Sequence, residues 1–169
     1  MAISMHEILI RPLIRGLDNM AALLEKGELY ATDNGFDSSV LAQLRLFPNM
    51  YPLVRQVQIA CEIAAAAAGR LTGVELPKQE RTEVTVPDLR IRIGRTLDVL
   101  KSVTAETLEG AEYRAIEMQS PSGSWRFTGT TYLTDFALPN FYFHSSILYA
   151  LLRSSGVEIG KMDFLGELR

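Results

Sequence analysis

Near the start of the chain the apolar residues Met5, Ile8, Leu9, Leu13, Leu17, Met20 and Leu24 recur at steps of three and four, the spacing that lines one face of a helix. Ser4-Met5-His6-Glu7 has the form of a capping box, in which the Ser hydroxyl and the Glu carboxylate each satisfy a backbone N–H of the first turn. The pattern predicts a first helix running to about Tyr30, bent where Pro12 removes a donor, with His6 in its first turn at one end of the fold. Thr32-Asp33-Asn34-Gly35 is a turn cluster, and Asp37 caps a short turn carrying Val40, Leu41 and Leu44. Asn49 reads as the cap of a second helix with Pro52 in its first turn. Its inner face is Leu53, Val57, Ala60, Ala64, Ala67 and Leu71, and Gly73 ends it. The thin run from Ala64 to Ala68 favours helix and invites a neighbouring helix close.

A polar connection containing Pro77 leads to Thr85-Val86-Pro87-Asp88, a second start signal with a hydroxyl cap and an acidic residue at the positive end of the helix dipole. The third helix follows through Leu89, Ile93, Leu97 and Leu100, and a further capped turn from Thr104 to Glu109 is closed by Gly110. From Tyr113 to Phe127 the period shortens. Ala115-Ile116-Glu117-Met118 and Trp125-Arg126-Phe127 flank Ser120-Pro121-Ser122-Gly123-Ser124, which predicts a small hairpin. Thr130 or Thr131 then opens a fourth helix with the inward stripe Leu133, Ala137, Asn140, His144, Leu148 and Leu151, kinked at Pro139 and closed by Gly156. In the tail, Ile159, Met162, Phe164 and Leu165 are expected to pack back. Four long helices with one hairpin between the third and fourth define a mainly all-α fold, a four-helix bundle forming one domain over residues 1–169.

Composition narrows the class. The chain has 169 residues, 47% hydrophobic and 22% charged, with a net charge of −3; a domain this size buries roughly 70% of its unfolded surface, enough for an unstapled core. Scattered Lys and Arg on an acidic chain give no surface for nucleic acid. The single Cys61 pairs with nothing and reads as a small packing residue, which fits a reducing, cytoplasmic setting. His6, Glu7, Arg11, Pro12 and Arg15 interrupt the segment Met1 to Leu17, so it has no signal-peptide core, and no stretch approaches the roughly 20 apolar residues of a membrane span.

The candidate chemistry lies where polar residues break core stripes. Asn140 and His144 are four apart and share a helix face, while Gln56, between Leu53 and Ala60, faces inward or sits at the edge of the second helix, with Gln58 a little further round. A buried amide or imidazole without a partner costs roughly 1–3 kcal/mol, so these groups are expected to bond one another, backbone or a ligand. Tyr51, Arg45 and Arg55 lie around the start of the same helix. Tyr142, Tyr149 and Arg153 fall on the outer face of the fourth and form a candidate homodimer contact. No serine triad, phosphate-cradling glycine loop or metal-type cysteine pair is present.

The run from Pro139 to Arg153, with His144 and the closing Leu151-Leu152-Arg153, resembles the last helix of the DinB/YfiT-like metalloenzyme superfamily. Phe36-Asp37, the segment Pro48 to Ala60, Leu138-Pro139-Asn140-Phe141 with His144, and Gly156 to Leu165 resemble more closely its domain-of-unknown-function group numbered nineteen ninety-three. The resemblance implies a DinB-like bundle. In that superfamily one histidine from the second helix and two from the fourth hold a metal. Those positions fall here on Gln58, or Gln56 if the register slips, on Asn140 and on His144. Amide oxygens are weak ligands beside imidazole or carboxylate, so no metal is expected to be stably bound; if one were, His144 would be its ligand, with Zn or Ni the candidates. The leading expectation is a pocket of Gln56, Gln58, Asn140 and His144 that binds a small molecule without a cofactor. A metal-dependent transferase of the superfamily's thiol-transferase type and a non-catalytic homodimeric interaction protein are the alternatives.

Overall fold

The computed structural model describes residues 3–120 and 123–167. Pro121 and Ser122, which fall in the segment expected to link the two arms, and the chain ends at 1–2 and 168–169 lie outside the described residues. The first long helix, α1, spans Met5–Asp33, and its capping box is formed: the Ser4 hydroxyl accepts from Glu7 N at 3.2 Å and Ser4 N donates back to the Glu7 carboxylate at 3.1 Å. His6 Nε2 lies 3.2 Å from the Val103 carbonyl, which ties this helix end to the loop after the third long helix. A short α2 (Ser39–Ala42) follows, with Asp37 accepting from Ser39 N; Leu41 is buried and Val40 exposed.

The second long helix, α3, spans Leu53–Thr72. Asn49 does not cap it. Proline disfavours helical geometry in the residue before it, so the helix starts after Pro52, whose own extended carbonyl accepts from Arg55 N and Gln56 N. The third, α4, spans Val86–Lys101 under the predicted Thr85 and Asp88 cap, with Pro87 in its first turn. Two short 3₁₀ turns, Glu106–Leu108 and Ala111–Tyr113, lead into the antiparallel hairpin β1 (Ile116–Ser120) and β2 (Gly123–Phe127), with Met118 opposite Trp125.

The fourth long element begins at Gly129, one or two residues earlier than predicted, because the pair Thr128 and Thr131 makes the reciprocal cap: Thr131 N donates to the Thr128 hydroxyl and Thr128 N to the Thr131 hydroxyl. It comprises α5 (Gly129–Thr131), a π-helical segment (Tyr132–Ala137) and α6 (Leu138–Ser154). The disturbance expected at Pro139 takes the form of that π segment. Pro139 has no N–H to give, and just before it Leu138 N reaches back five residues to the Leu133 carbonyl. The last helix, α7 (Lys161–Leu165), lays Phe164 against the bundle, whereas Met162 is exposed rather than packed.

In the bundle α1 lies beside α4 and α6, and α3 lies beside the same two. Leu9, Leu13, Leu17, Val57, Ala60, Ala64, Leu89, Ile93, Leu148 and Leu151 fill the middle. Among the described residues no helix is long and apolar enough to cross a membrane.

Candidate functional site

The close pairing of α3 and α6 brings Gln56 to His144. Gln56 is fixed from below: its Nε2 donates to the Tyr51 carbonyl at 3.0 Å, across the break that Pro52 imposes. That leaves Oε1 as the acceptor facing His144 Nδ1 at 2.7 Å. A carbonyl oxygen cannot donate, so the shared proton sits on Nδ1 and the ring's other nitrogen, Nε2, carries the lone pair. Among the described residues nothing bonds Nε2, and it is not one of the sealed, unpartnered polar atoms. Gln56 is 2% exposed and His144 8%. Burial, with the Arg55 charge nearby, pushes the imidazole below its ordinary value and keeps it neutral. The Phe143 ring stands nearly perpendicular to it at a centroid distance of 5.2 Å.

The other two predicted pocket residues go elsewhere. Asn140 does not bond His144; it is half-buried, and among the described residues no hydrogen bond engages its side chain. The centre of the α6 face is taken by Phe141, His144, Ser145 and Leu148, which leaves Asn140 on the shoulder. Gln58 is buried but turned toward α4. Its Oε1 accepts from Arg55 at 3.0 Å and its Nε2 donates to Glu83 at 2.8 Å. Arg55 also lies over the Tyr51 ring, 5.4 Å from its centroid, and Arg45 donates to the Met50 carbonyl. Of the proposed dimer face, Tyr149 is covered by Phe164 of its own chain, ring against ring at 6.0 Å, while Tyr142 and Arg153 remain exposed.

Beyond Gln58 lies a charged network that sequence reasoning missed. Arg92 on α4, 1% exposed, donates to Glu83 at 2.9 Å, to the Glu80 carbonyl at 2.8 Å and to Glu62 at 3.2 Å. Arg81 closes the other side with a two-pronged pair to Glu62 at 2.7 Å each. Burial pulls the Glu62 carboxyl upward, but the hydrogen bonds and charge of Arg81, then the charges of Arg92 and Arg55, outweigh it and hold the group below its ordinary value. The signal for Arg92 was its spacing, three after Leu89 and four before the equally buried Thr96.

Cys61 sits beside this network. Burial pushes its thiol up to about 12, and Thr96 and Arg92 offset that only in part. The folded protein should therefore resist a thiol-specific reagent at pH 8 and react fully once unfolded. Fast modification of the native state would show that the α3–α4 seam opens.

The donor set does not suit the metal that the superfamily resemblance implies. Gln56 and the Nδ1 edge of His144 face each other rather than a shared ion, Gln58 is held by Arg55 and Glu83, and among the described residues no group of three His, Cys, Asp or Glu side chains could hold a metal.

Fold and site together define a four-helix bundle of the DinB type. The crystal structure of a DinB family member from Shewanella denitrificans matches it with a TM-score of 0.90 at 34% identity, over 96% of this chain and 92% of that one. The model of the family described as a domain of unknown function, DUF1993, matches residues 5–165, and the chain belongs to that family. No curated protein matches it.

Proposed function

We propose that this bundle binds a small molecule at the α3–α6 seam, with His144 Nε2 as the acceptor that orients it, and that it does so without a stably bound metal. The observation that carries the reading is the relay from the Tyr51 carbonyl through Gln56 to His144, which fixes one tautomer and leaves the Nε2 lone pair without a partner among the described residues. Beside it Arg55 is bonded to the neutral Gln58 and, among the described residues, forms no direct ion pair, so a guanidinium stands near the imidazole. A neutral, oriented imidazole next to a cation suits a small acidic molecule that also carries a proton to donate. Nitrogen-detected NMR of the His144 ring tests this: ring shifts on titration with glycolate, lost in His144→Leu and weakened in Arg55→Met, support it. A His144→Leu variant as stable as the parent, together with no shift from glycolate or related hydroxy acids, would sink it.

The superfamily's metal-dependent transferase chemistry is the second reading, favoured by one atom, because Nε2 is also the nitrogen a metal would take. Stoichiometric Zn, Ni, Mn or Fe in protein purified without tag or chelator would establish it over the first.

The His144 environment also predicts a pH dependence. Its folded-state value lies below the ordinary 6.5, so on acidification the unfolded chain takes the proton first. The stability contributed by the neutral ring is complete above about pH 6.5 and is lost as pH falls through the folded value. Urea midpoints measured across that window should drop in the parent and drop less in His144→Gln.

A further inference from the structure

A cleft of about 490 Å³ runs between α3 and the connection that follows it, and His144 is not among the residues that line it. That volume lies in the range of about 300–1,000 Å³ typical of small-molecule sites. Its apolar lining comes from Ala65, Ala66 and Gly69 of the alanine run and from Leu76 of the connection, which packs over Gly69. Two lining side chains each have, among the described residues, a buried polar atom without a partner: Nε of Arg92 and Oε1 of Gln79.

These two orphans are complementary. Arg92 spends its terminal nitrogens on Glu83, Glu80 and Glu62, which leaves the Nε–H as an unanswered donor. Gln79 gives Nε2 to the Thr96 hydroxyl at 2.9 Å, and that hydroxyl donates in turn to the Arg92 carbonyl, so the amide orientation is fixed and Oε1 is an unanswered acceptor. Sealed, unpaired polar atoms are costly to a fold and are enriched where something else pairs with them. The charges around Arg92, namely Arg92, Arg81, Glu62 and Glu83, are paired with one another, while Arg70 and Lys78 also line the cleft and form no ion pair among the described residues, so it is the donor and acceptor orphans rather than the charges that select the head group.

We propose that this cleft is a second binding site, for a small neutral molecule with an apolar body and a head group that both accepts and donates, as a primary amide does. The carbonyl takes the Arg92 Nε–H, the amide N–H goes to Gln79 Oε1, and the apolar body lies on Ala65, Ala66 and Leu76. Both orphan atoms are shielded from water. Gln79 stands on the irregular connection between α3 and α4, so that connection is the part that yields on entry while the amide keeps its bond to Thr96.

Benzamide is the probe and benzoate its charged counterpart. In proton–nitrogen spectra of the full chain, benzamide is expected to shift the Gln79 side-chain amide and the Arg92 Nε–H, with benzoate at least about tenfold weaker. Gln79→Met should weaken benzamide about tenfold, and Ala66→Trp, at a half-exposed position, should fill the cleft and abolish binding while the melting transition stays in place. Signals at Gln79 and Arg92 that do not move up to the solubility limit of benzamide overturn the proposal. So does benzoate binding as tightly as benzamide, or benzamide binding that ignores both variants. Because the reporters are Gln79 and Arg92 here and the His144 ring at the other site, failure of one proposal leaves the other to its own test.

Discussion

Replacing Arg92 by methionine is expected to lower the free energy of unfolding by about 3–5 kcal/mol, the range for removing one partner of a buried ion pair. The Arg92 side chain is 1% exposed and that of Glu83 7%, so the substitution strands a carboxylate that water reaches poorly. Glu83 would keep only the Gln58 amide, and the Glu80 carbonyl would lose its donor. Glu62 would be less affected, since Arg81 still holds both of its oxygens. Urea denaturation gives the measurement. Adding Glu83→Leu to Arg92→Met removes the stranded charge and should recover most of the loss, because an apolar pair of similar volume is often as stable as the ion pair it replaces. A double variant no better than the single one would mean that the fold depends on the arginine's other bonds rather than on the pair.

That network also explains what could and could not be read from the chain. The four long helices are written in local spacing: Leu9, Leu13 and Leu17, or Leu89, Ile93 and Leu97, each define a face within a few turns, and both capping boxes are complete within four residues. The Gln56 and His144 pair was legible for the same reason, as polar interruptions in two apolar stripes. Asn140 lies on the shoulder of its stripe, because spacing alone does not set the centre of a stripe and Phe141 with Ser145 shifts that centre to the other side. Arg92 occupies a core position by spacing, but a charge there reads as solvent-facing until its partners are known. Those partners, Glu62 and Glu83, arrive from α3 and from the irregular connection. Nothing periodic marks them. The cleft is still less visible, since it depends on the path the 74–81 connection takes over α3.

Gly129→Ala should cost about 3 kcal/mol or more, beyond the usual range of overpacking, because what stands in the way is backbone. A Cβ at this position would overlap the Ala111 carbonyl oxygen, lie 2.8 Å from the carbonyl carbon and press on Leu71 Cδ2 at 2.9 Å. Ala111 cannot simply retreat: its carbonyl accepts from Arg114 N at 3.1 Å, and the neighbouring Glu112 carbonyl accepts from the Thr130 hydroxyl at 3.3 Å. The contact is the point where the 3₁₀ turn before the hairpin is pinned to the first turn of the fourth long element. Strain there passes into the π segment and on toward the α6 register that sets His144 against Gln56. The variant should therefore unfold at lower urea and, in whatever fraction remains folded, show a displaced His144 ring signal. Gly94→Ala supplies the contrast within α4, where a Cβ meets nothing within 4 Å. There the lost backbone freedom of the unfolded chain should raise stability by about 0.4–1 kcal/mol. Equal and small effects at the two glycines would show that the Ala111 turn floats free of the bundle, and with it the path by which the hairpin region sets the register of α6.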